Sequence, residues 1–219
     1  FKSDIKNFIY SSTAAIYGNS KKKVKENEKL KPLSPYAKSK LNLEKFFFQN
    51  KKKINFIILR YFNVGGVEKK LRCGFDIKNK SLISNLCKSF ITGKEFLIFG
   101  RNHQTNDGTA IRDFIHVRDL AQIHFMFCQK ILKKKYSEVF NCGYGKPISV
   151  KKMYRIFSKI SKKSPKIIYK SKIKKDISIS ISDVSKLNSE IHINDKKNKW
   201  LDLVKTSIDW YKSKNRIKI

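Results

Sequence analysis

Two apolar runs separated by a helical stretch constrain the fold of this 219-residue chain more than any other feature. Residues 5–10 and 54–59 are rich in Ile, Phe and Leu, as is typical of buried strands in a parallel sheet. Between them, Ser34 and Pro35 form a helix-start signal, and helical periodicity then continues to about residue 50. Strand, helix and strand in this order predict a βαβ unit, so the sequence indicates an α/β fold.

Further strands and helices follow this unit. We expect strands over residues 96–99, 112–116 and 139–141, and helices over 81–92, 119–133 and 149–160, from Asp183, and around Trp200 and Trp210. Asp119 and Ser149 are predicted as helix caps. The segments 63–80 and 101–109 are predicted to be irregular because they show neither the helical nor the strand period.

A tyrosine and a lysine four residues apart lie at the head of the first predicted helix. Positions i and i+4 share a helix face, so the phenol of Tyr36 and the ammonium of Lys40 can point into one cleft. A phenol titrates near pH ~10 and a nearby cation favours the phenolate, which makes this pair a candidate general base. Ser12 and Thr13 follow the first strand, where a hydroxyl could bond a substrate oxygen. Because lysine is abundant, a surface tyrosine at a chance spacing is the alternative interpretation.

The formal net charge of +33 raises the question of a nucleic-acid partner. The lysines are spread through every segment and arginine is scarce, so no clustered stripe is present in the sequence. An RNP-like aromatic string is also absent. We interpret the charge as compositional drift and keep nucleic-acid binding as a minority hypothesis.

Cysteine usage and hydropathy restrict the remaining classes of protein. Cys73, Cys87, Cys128 and Cys142 have no C-x-x-C spacing, so we expect reduced thiols and neither a metal site nor disulfides. No apolar run reaches the length of a membrane span, and no signal peptide opens the chain. These features predict a cytoplasmic protein without a membrane partner.

Five strings in the sequence resemble those of a known family in order and spacing. They are F-I-Y-S-S-T-A-A-I-Y-G (8–18), S-P-Y-A-K-S-K (34–40), L-R-Y-F-N-V-G-G (59–66), F-G-R-N-H-Q-T-N-D-G-T-A-I-R-D-F-I-H-V-R-D-L-A (99–121) and N-C-G-Y-G (141–145). The chain resembles the extended short-chain dehydrogenase/reductase superfamily, and within it the UDP-glucose 4-epimerase family most closely. The fourth string discriminates best, because other sugar-nucleotide members usually have a shorter, different loop there.

The resemblance implies a reaction, a cofactor and the residues that serve them. NAD would accept a hydride from C4 of a UDP-hexose and return it to the other face of the 4-keto sugar, which interconverts UDP-glucose and UDP-galactose. Tyr36 would take the proton from the 4-hydroxyl, Lys40 would hold the nicotinamide ribose, and Thr13 would bond the sugar. The implied cofactor contacts are Ser11, Ser12, Thr13, Tyr36, Lys40, Tyr61 and Phe62, and the implied substrate contacts are Thr13, Tyr36, Asn63, Ser81, Leu82, Leu97, Phe99, Arg112 and Asp176.

Within that set, the resemblance assigns parts of the substrate to particular side chains. Arg112 would bind the pyrophosphate, which its guanidinium fork suits. Leu82 and Phe99 would form walls of the uracil pocket. A homodimer through the helices that follow residues 34 and 81 is also implied.

The same resemblance implies a partial Rossmann-type parallel sheet with a smaller α/β substrate domain. Residues 1–64, rejoined by 112–142, would form the second half of the NAD-binding domain, and 65–111 with 143–219 the UDP-sugar domain. The family's G-x-x-G-x-x-G loop does not occur in these 219 residues, so we expect roughly a hundred residues upstream of Phe1. The isolated chain is then expected to be inactive and poorly soluble, with an unpaired strand edge.

Two alanines favour epimerisation over related chemistry on the same scaffold. Sugar-nucleotide dehydratases place an acid pair directly after the threonine, and related decarboxylases keep the second acid. Ala14 and Ala15 occupy these positions here, and a methyl group cannot transfer a proton. The alternatives that stay open are another nucleotide-sugar epimerase or reductase, a catalytically inactive fragment, and a basic nucleic-acid-associated module.

The tail departs from the family pattern, which usually contains R-R-x-G-D and a later aromatic residue. Asp176 is present, but Ile173 stands where the second arginine is expected and cannot bind a phosphate. Lys172 or Lys174 could compensate as point charges. With Ser180 in the same segment, the sequence leaves UDP-glucose and UDP-N-acetylhexosamine both open.

Other polar residues are interpreted as structural. Asp113 and His116 alternate along a predicted strand, and we expect them to position loops rather than take part in catalysis. His124 lies on an apolar helix face and is predicted to be a core histidine with satisfied hydrogen bonds.

Overall fold

The computed structural model describes residues 4–20, 22–78, 80–173, 176–192 and 199–215, and alternating strands and helices make up most of them. In chain order they are β1 (Asn7–Thr13), a 3-10 helix (Ala14–Tyr17), α1 (Pro35–Gln49), β2 (Asn55–Tyr61), β3 (Asn63–Gly65), α2 (Leu82–Thr92), β4 (Phe96–Phe99), β5 (Ile111–His116), α3 (Val117–Ile131), β6 (Ser137–Cys142), β7 (Pro147–Ser149), α4 (Val150–Ser161), β8 (Ile167–Lys170), β9 (Ile179–Ser180), α5 (Ser185–Glu190) and α6 (Lys199–Lys214).

The main sheet is parallel and has the order β1-β2-β6. Its register aligns Thr13 with Tyr61 and Tyr61 with Cys142, so the carboxyl ends of the three strands meet at one edge. Among the described residues, β1 pairs only with β2 and is therefore an edge strand. This arrangement confirms the predicted α/β class with a parallel sheet.

Helices cover both faces of the main sheet, which explains why its strands are apolar throughout. On one face, Phe47 of α1 packs against Phe56, with ring centroids 5.5 Å apart. On the other face, Phe127 of α3 packs against Phe140, with centroids 4.6 Å apart. The side chains of Phe56, Ile57 and Ile58 in β2 are fully buried, and this burial holds α1 and α3 against the sheet.

A second sheet holds β3, β5, β7 and β9, with β5 pairing to each of the others. Arg112 in β5 lies opposite Ile148 of β7 on one side and Ser180 of β9 on the other. A short parallel pair, β4 with β8, completes the strands. Helices α2, α4 and α6 bury their apolar faces together around Phe90, Phe157 and neighbouring side chains.

The domain boundaries that the sequence predicts can be compared with these sheets. β6 joins β1 and β2 in the main sheet, and α3 packs on that sheet. β5 lies instead in the second sheet. The division of residues 1–64 and 112–142 from the remainder stays a prediction.

Helix caps follow the sequence signals with one exception. Ser34 Oγ accepts from Ala37 N at 3.1 Å, and Ser149 Oγ accepts from Lys152 N at 3.1 Å. For α3 the predicted cap Asp119 is wrong, because the helix begins earlier and His116 Nδ1 accepts from Arg118 N at 3.1 Å. An imidazole nitrogen on extended backbone can fill the place of a hydroxyl there.

Two segment predictions also need correction. β3 occupies residues 63–65 of a stretch predicted to be irregular, and three residues are too few to show a period. The short helix predicted from Asp183 begins at Ser185, whose amide donates to Asp183 Oδ1. Within the described ranges, no helix combines the length and apolar character needed to span a bilayer.

The burial of the cysteines gives a test of this fold. Cys87 and Cys142 are buried and Cys73 and Cys128 are exposed, and all four thiols are free. Burial raises the pKa of the Cys87 and Cys142 thiols, which suppresses the reactive thiolate. We expect Ellman's reagent to label Cys73 and Cys128 quickly in the native chain and all four thiols in denaturant. Cys73→Ser and Cys128→Ser should each remove one fast equivalent, and rapid native labelling of Cys87 would contradict the packing of α2.

Candidate functional site

The carboxyl end of β1 carries the first predicted site residue. Thr13 is the last residue of the strand, and its Oγ1 accepts from Ala15 N at 3.2 Å as the cap of the 3-10 helix. That bond uses an acceptor lone pair and leaves the hydroxyl proton available to a ligand. Ala14 and Ala15 follow it at the rim of a cavity, where they present methyl groups only.

Helix α1 brings the tyrosine and lysine pair to the same strand end. Lys40 Nζ donates to Ser11 O at 2.9 Å and lies 5.9 Å from the centroid of the Tyr36 ring. The Tyr36 side chain is well exposed, at 58%. The Lys40 ammonium therefore lies between the exposed Tyr36 phenol and the backbone of Ser11, which precedes Thr13 by two residues.

The two serines before Thr13 point to opposite faces of the sheet, as successive strand residues must. Ser11 Oγ lies 2.6 Å from Tyr61 OH on the α3 face. Ser12 is buried on the α1 face, and its Oγ donates to Glu44 Oε1 at 2.5 Å. The Ser12 hydroxyl is thus engaged inside the protein, and the structure does not bring it to the cavity that Thr13 lines.

A hydrogen-bonded chain continues from Ser11 through Tyr61 to α3. Tyr61 OH lies 2.6 Å from His124 Nε2, and His124 Nδ1 lies 2.9 Å from Leu120 O. A carbonyl only accepts, so Nδ1 donates to Leu120. With a neutral imidazole, Nε2 then accepts from Tyr61, and Ser11 donates to Tyr61. Burial raises the pKa of Tyr61. His124 is half-buried with both ring nitrogens bonded, as expected for a structural histidine.

Two adjoining cavities lie beside these residues. The first, of about 390 Å³, is lined by Thr13, Ala14, Ala15, Tyr61, Phe62, Asn63, Arg112, Ile173, Asp176, Ile177 and Ser180. The second, of about 280 Å³, is lined by Asn63, Lys80, Leu82, Asn85, Phe96, Leu97, Ile98, Phe99, Ala110, Arg112, Val150, Ile173 and Asp176. The two cavities share four lining residues and therefore form one cleft. The shared residues, which include Arg112 and Asp176, form a polar junction between an end with hydroxyl groups and an apolar end.

Most predicted site residues therefore converge on this cleft. Phe62 is buried and contributes a wall of the first cavity, whereas Leu97 and Phe99 are about 40% exposed and form a wall of the second. Ser81 caps α2 through a bond from Ser84 N at 3.3 Å and lines neither cavity. Tyr36 and Lys40 also lie outside both linings.

The junction of the cleft is organised around a guanidinium. Arg112 Nη2 donates to Asp176 Oδ1 at 3.0 Å, and Nη1 donates to Ile111 O at 3.0 Å. Burial lowers the pKa of Arg112, and the Asp176 carboxylate opposes that effect. His103 Nε2 lies 3.9 Å from Asp176 Oδ2, beyond hydrogen-bond distance. Arg112 and Asp176 are thus held in place by contacts within the chain itself.

Among the described residues of the tail, no cation lines the cleft. Ile173 lines both cavities with an apolar side chain. Lys172 Nζ donates to Ser178 Oγ at 3.0 Å and belongs to neither lining. Lys174, the other predicted substitute for an arginine, lies outside the described residues.

Asp113, the residue after Arg112, holds two loop segments beside the cleft in place. The carboxylate is fully buried and accepts from the backbone amides of Tyr144, Gly145 and Ser182 and from the Ser182 hydroxyl. A Cβ on Gly143 would lie 2.5 Å from Asp113 Oδ2, so glycine permits this close approach. Burial raises the pKa of Asp113, and the hydrogen bonds oppose that change. The expectation that Asp113 positions loops agrees with this geometry.

Sequence reasoning missed a buried ion pair behind the cleft. Arg60 Nη2 lies 2.6 Å from Glu44 Oε2, and both side chains are almost fully buried. Two signals were present in the sequence. Glu44 follows Lys40 by one helical turn, and Arg60 interrupts an otherwise apolar strand.

Comparison with known proteins agrees with this geometry. Residues 1–143 match the NAD dependent epimerase/dehydratase family. The chain belongs to that family. It is 36% identical to the UDP-glucose 4-epimerase of Halalkalibacterium halodurans over 163 residues, which are 72% of this chain and 49% of that protein. It is 38% identical to the Lactobacillus helveticus enzyme of the same name over 145 residues, which cover 64% and 44%. The chain thus spans about half the length of these curated relatives.

Solved structures of family members share the fold. The UDP-glucose-4-epimerase of Stenotrophomonas maltophila, with bound NAD and formylated UDP-arabinopyranose, superposes with a TM-score of 0.91 at 24% identity and covers 96% of this chain and 65% of that one. The Bifidobacterium longum enzyme in complex with NAD+ and UDP gives 0.83 at 28% identity, covering 96% and 64%. NAD is therefore the cofactor of the family, and the relatives named here are nucleotide-sugar 4-epimerases. A UDP-glucuronic acid 4-epimerase from Bacillus cereus also matches, with a TM-score of 0.81 and 26% identity.

The residues at this strand end can be compared with the needs of an NAD site. The carboxyl edge of a parallel sheet, with the Lys40 ammonium anchored to Ser11 O, has a donor and a position that suit a nicotinamide ribose. The glycine-rich loop that seats the pyrophosphate is not among the 219 residues. The residues present therefore fit the nicotinamide end of the cofactor.

The Asp113 carboxylate gives a test of how the cleft wall is held. Asp113→Asn replaces one acceptor oxygen by an NH₂ donor that faces backbone amides, so we expect the free energy of unfolding to fall by about 2–3 kcal/mol. Urea denaturation measures this change. Asp4→Asn, at an exposed position, is the control and should leave the midpoint unchanged. Equal stability of the two variants would show that the buried carboxylate does not hold the loops.

Proposed function

We propose that this chain supplies the catalytic and sugar-binding half of an NAD-dependent enzyme that interconverts UDP-glucose and UDP-galactose by 4-epimerisation. The single observation that carries the proposal is the cleft itself, with Thr13 and Tyr61 at one end, Arg112 at the junction and an apolar pocket at the other end. Relatives named UDP-glucose 4-epimerase at 36% and 38% identity support the choice of hexose.

The chemistry assigns a role to each group at the strand end. In this proposal Tyr36 takes the proton of the sugar hydroxyl, and the ammonium of Lys40 favours the phenolate. The Thr13 hydroxyl orients the sugar oxygen. NAD, when bound, supplies the hydride acceptor and donor. Ala14 and Ala15 present no proton donor, which supports epimerisation rather than elimination.

The remaining cleft suits a UDP group. Arg112 can share its guanidinium with phosphate oxygens, since charge-assisted bidentate contacts are its usual mode of anion recognition. Leu82, Leu97 and Phe99 offer an apolar slot for a planar base, and Asn63 and Asn85 add amide groups. Lys80 brings a further positive charge to that end.

The partner and the compartment are also proposals. Helix α1 exposes Leu43, Phe46 and Phe48 at 41–45%, which supports a homodimer that uses this helix. The four free thiols suit a reducing compartment, and we propose a cytoplasmic location.

Removal of the phenol tests the proposed chemistry directly. We would join the NAD-binding half of the Halalkalibacterium halodurans relative to this chain and assay conversion of UDP-galactose. Tyr36→Phe should lower kcat by about 10²–10⁴-fold, because the general base is lost. The control Tyr169→Phe removes a hydroxyl from another exposed tyrosine that lines neither cavity. Undiminished turnover of the Tyr36→Phe enzyme would refute the proposal. Faster turnover of UDP-arabinose than of UDP-galactose would show that the hexose is not the preferred sugar.

UDP binding by residues 1–219 alone tests the other half of the cleft. We expect calorimetry to detect UDP binding, and Arg112→Gln to raise the Kd by about tenfold or more because a charged hydrogen bond is lost. Arg101→Gln is the matched control, since that exposed guanidinium lies over the Tyr169 ring, 5.4 Å from its centroid. Equal losses in the two variants would mean a non-specific charge effect. NAD should give no binding heat with this chain, and measurable NAD affinity would contradict the assignment of the pyrophosphate loop to another segment.

A further inference from the structure

We propose that Glu44 and Arg60 are positioning residues that lock the Tyr36–Lys40 helix against the strand ends that carry Thr13 and Tyr61. This inference rests on the proposed function. It assigns to a buried ion pair, which lines neither cavity, a part in the reaction proposed for the strand ends.

The Glu44 carboxylate joins three elements of the site. It lies on α1, four residues after Lys40 and eight after Tyr36, on the same helical face. Its Oε1 accepts from Ser12 Oγ at 2.5 Å, and Ser12 directly precedes Thr13. Arg60 Nε donates to Oε1 at 3.1 Å, and Arg60 Nη2 donates to Oε2 at 2.6 Å.

Arg60 extends the junction to the rest of the main sheet. It directly precedes Tyr61, and its Nη1 donates to Tyr17 OH at 2.7 Å and to Glu26 O at 2.9 Å. Tyr17 OH in turn donates to Asn141 Oδ1 at 2.7 Å. The network therefore ties α1, β1, β2 and β6 together on the α1 side of the sheet.

The charged state of this network is set by mutual pairing. Burial alone would lower the pKa of Arg60, but the bonds and charge of Glu44 hold it above its ordinary value. Burial raises the pKa of Tyr17 to about 12, so its phenol stays protonated and keeps its bond to Asn141. No buried side-chain polar atom in the described part of the chain lacks a partner.

Stability alone is a poor explanation for such a pair. Removing two charges from water is costly, and apolar residues of similar volume often stabilise a protein equally well. Apolar residues cannot supply direction, whereas a fork of hydrogen bonds fixes the relative orientation of the two groups that it joins. Misplacement of a catalytic group by about 1 Å can reduce turnover by about 10²-fold.

The test uses an apolar replacement that keeps the fold. Glu44→Leu/Arg60→Met removes both charges together and should stay folded, with a lower urea midpoint because Ser12 Oγ and Glu26 O lose their partners. Its matched control is Glu138→Leu/Lys186→Met, which replaces an exposed ion pair of 2.5 Å between β6 and α5. In residues 1–219 carrying 3-fluorotyrosine at position 36, we expect one narrow ¹⁹F signal for parent and control. The buried-pair variant should give a broadened or split signal.

Kinetics in the joined enzyme give the second readout. We expect Glu44→Leu/Arg60→Met to lower kcat by about 10²-fold while KM stays within about twofold, because substrate binding at Arg112 is untouched. Glu44→Gln keeps the shape and one acceptor oxygen and should lose less. If the apolar variant does not fold, Glu44→Gln decides, and parental kcat in it overturns the proposal.

The outcomes separate this inference from the proposed function. A folded apolar variant with a parental ¹⁹F signal and parental kcat shows that the pair only fills space. If Tyr36→Phe remains fully active, the proposed function fails. The ¹⁹F comparison needs no activity and still reports whether the pair positions Tyr36.

Discussion

The parallel register of β1, β2 and β6 is the constraint on which the site depends. Each strand ends at the same edge, so residues that are distant in sequence, such as Thr13 and Tyr61, become neighbours without any contact between their side chains being required. A shift of one residue would exchange the two faces of β1 and send Ser11 towards α1 and Ser12 towards α3. Apolar side chains on both faces oppose that shift, because it would bury polar groups and expose the core.

The second sheet meets this edge through Arg112. Backbone pairing on both sides of β5 fixes the residue, and Asp113 behind it holds the loop after β6 and the segment after β9. The cleft therefore lies where two sheets are joined by a partly buried arginine and a buried aspartate that are adjacent in sequence. Alternation along β5 directs Arg112 to the cleft and Asp113 to backbone amides.

Local signals in the sequence predicted most elements of this fold. The Ser34-Pro35 start of α1 and the apolar β2 run have direct physical causes in capping and burial, and both occur where predicted. Asp119 is not the cap because α3 begins at Val117, so the cap position falls on His116, whose ring nitrogen replaces a hydroxyl as acceptor. β3 was missed since its pairing with β5 comes from tertiary structure and leaves no period in three residues.

The site was predictable where a short motif determined it and obscure where partners come from distant segments. Tyr36 and Lys40 share a helix face by spacing alone. The buried hydrogen bond of Ser12 needs Glu44, which is itself paired with Arg60. Both partners come from later elements, so the sequence of β1 gives no sign of them. The network of Ser11, Tyr61 and His124 likewise joins three elements whose proximity follows only from the packed sheet.

The Asp176 carboxylate beside Arg112 has a consequence for selectivity. A guanidinium that already has a negative neighbour offers an incoming anion less net attraction than a lone one, and a singly charged group gains little by displacing or sharing that neighbour. A diphosphate carries more charge and more oxygens, so it can bind the Arg112 N–H groups that do not bond Asp176. We therefore expect the acidic neighbour to favour ligands with several anionic oxygens over small monoanions.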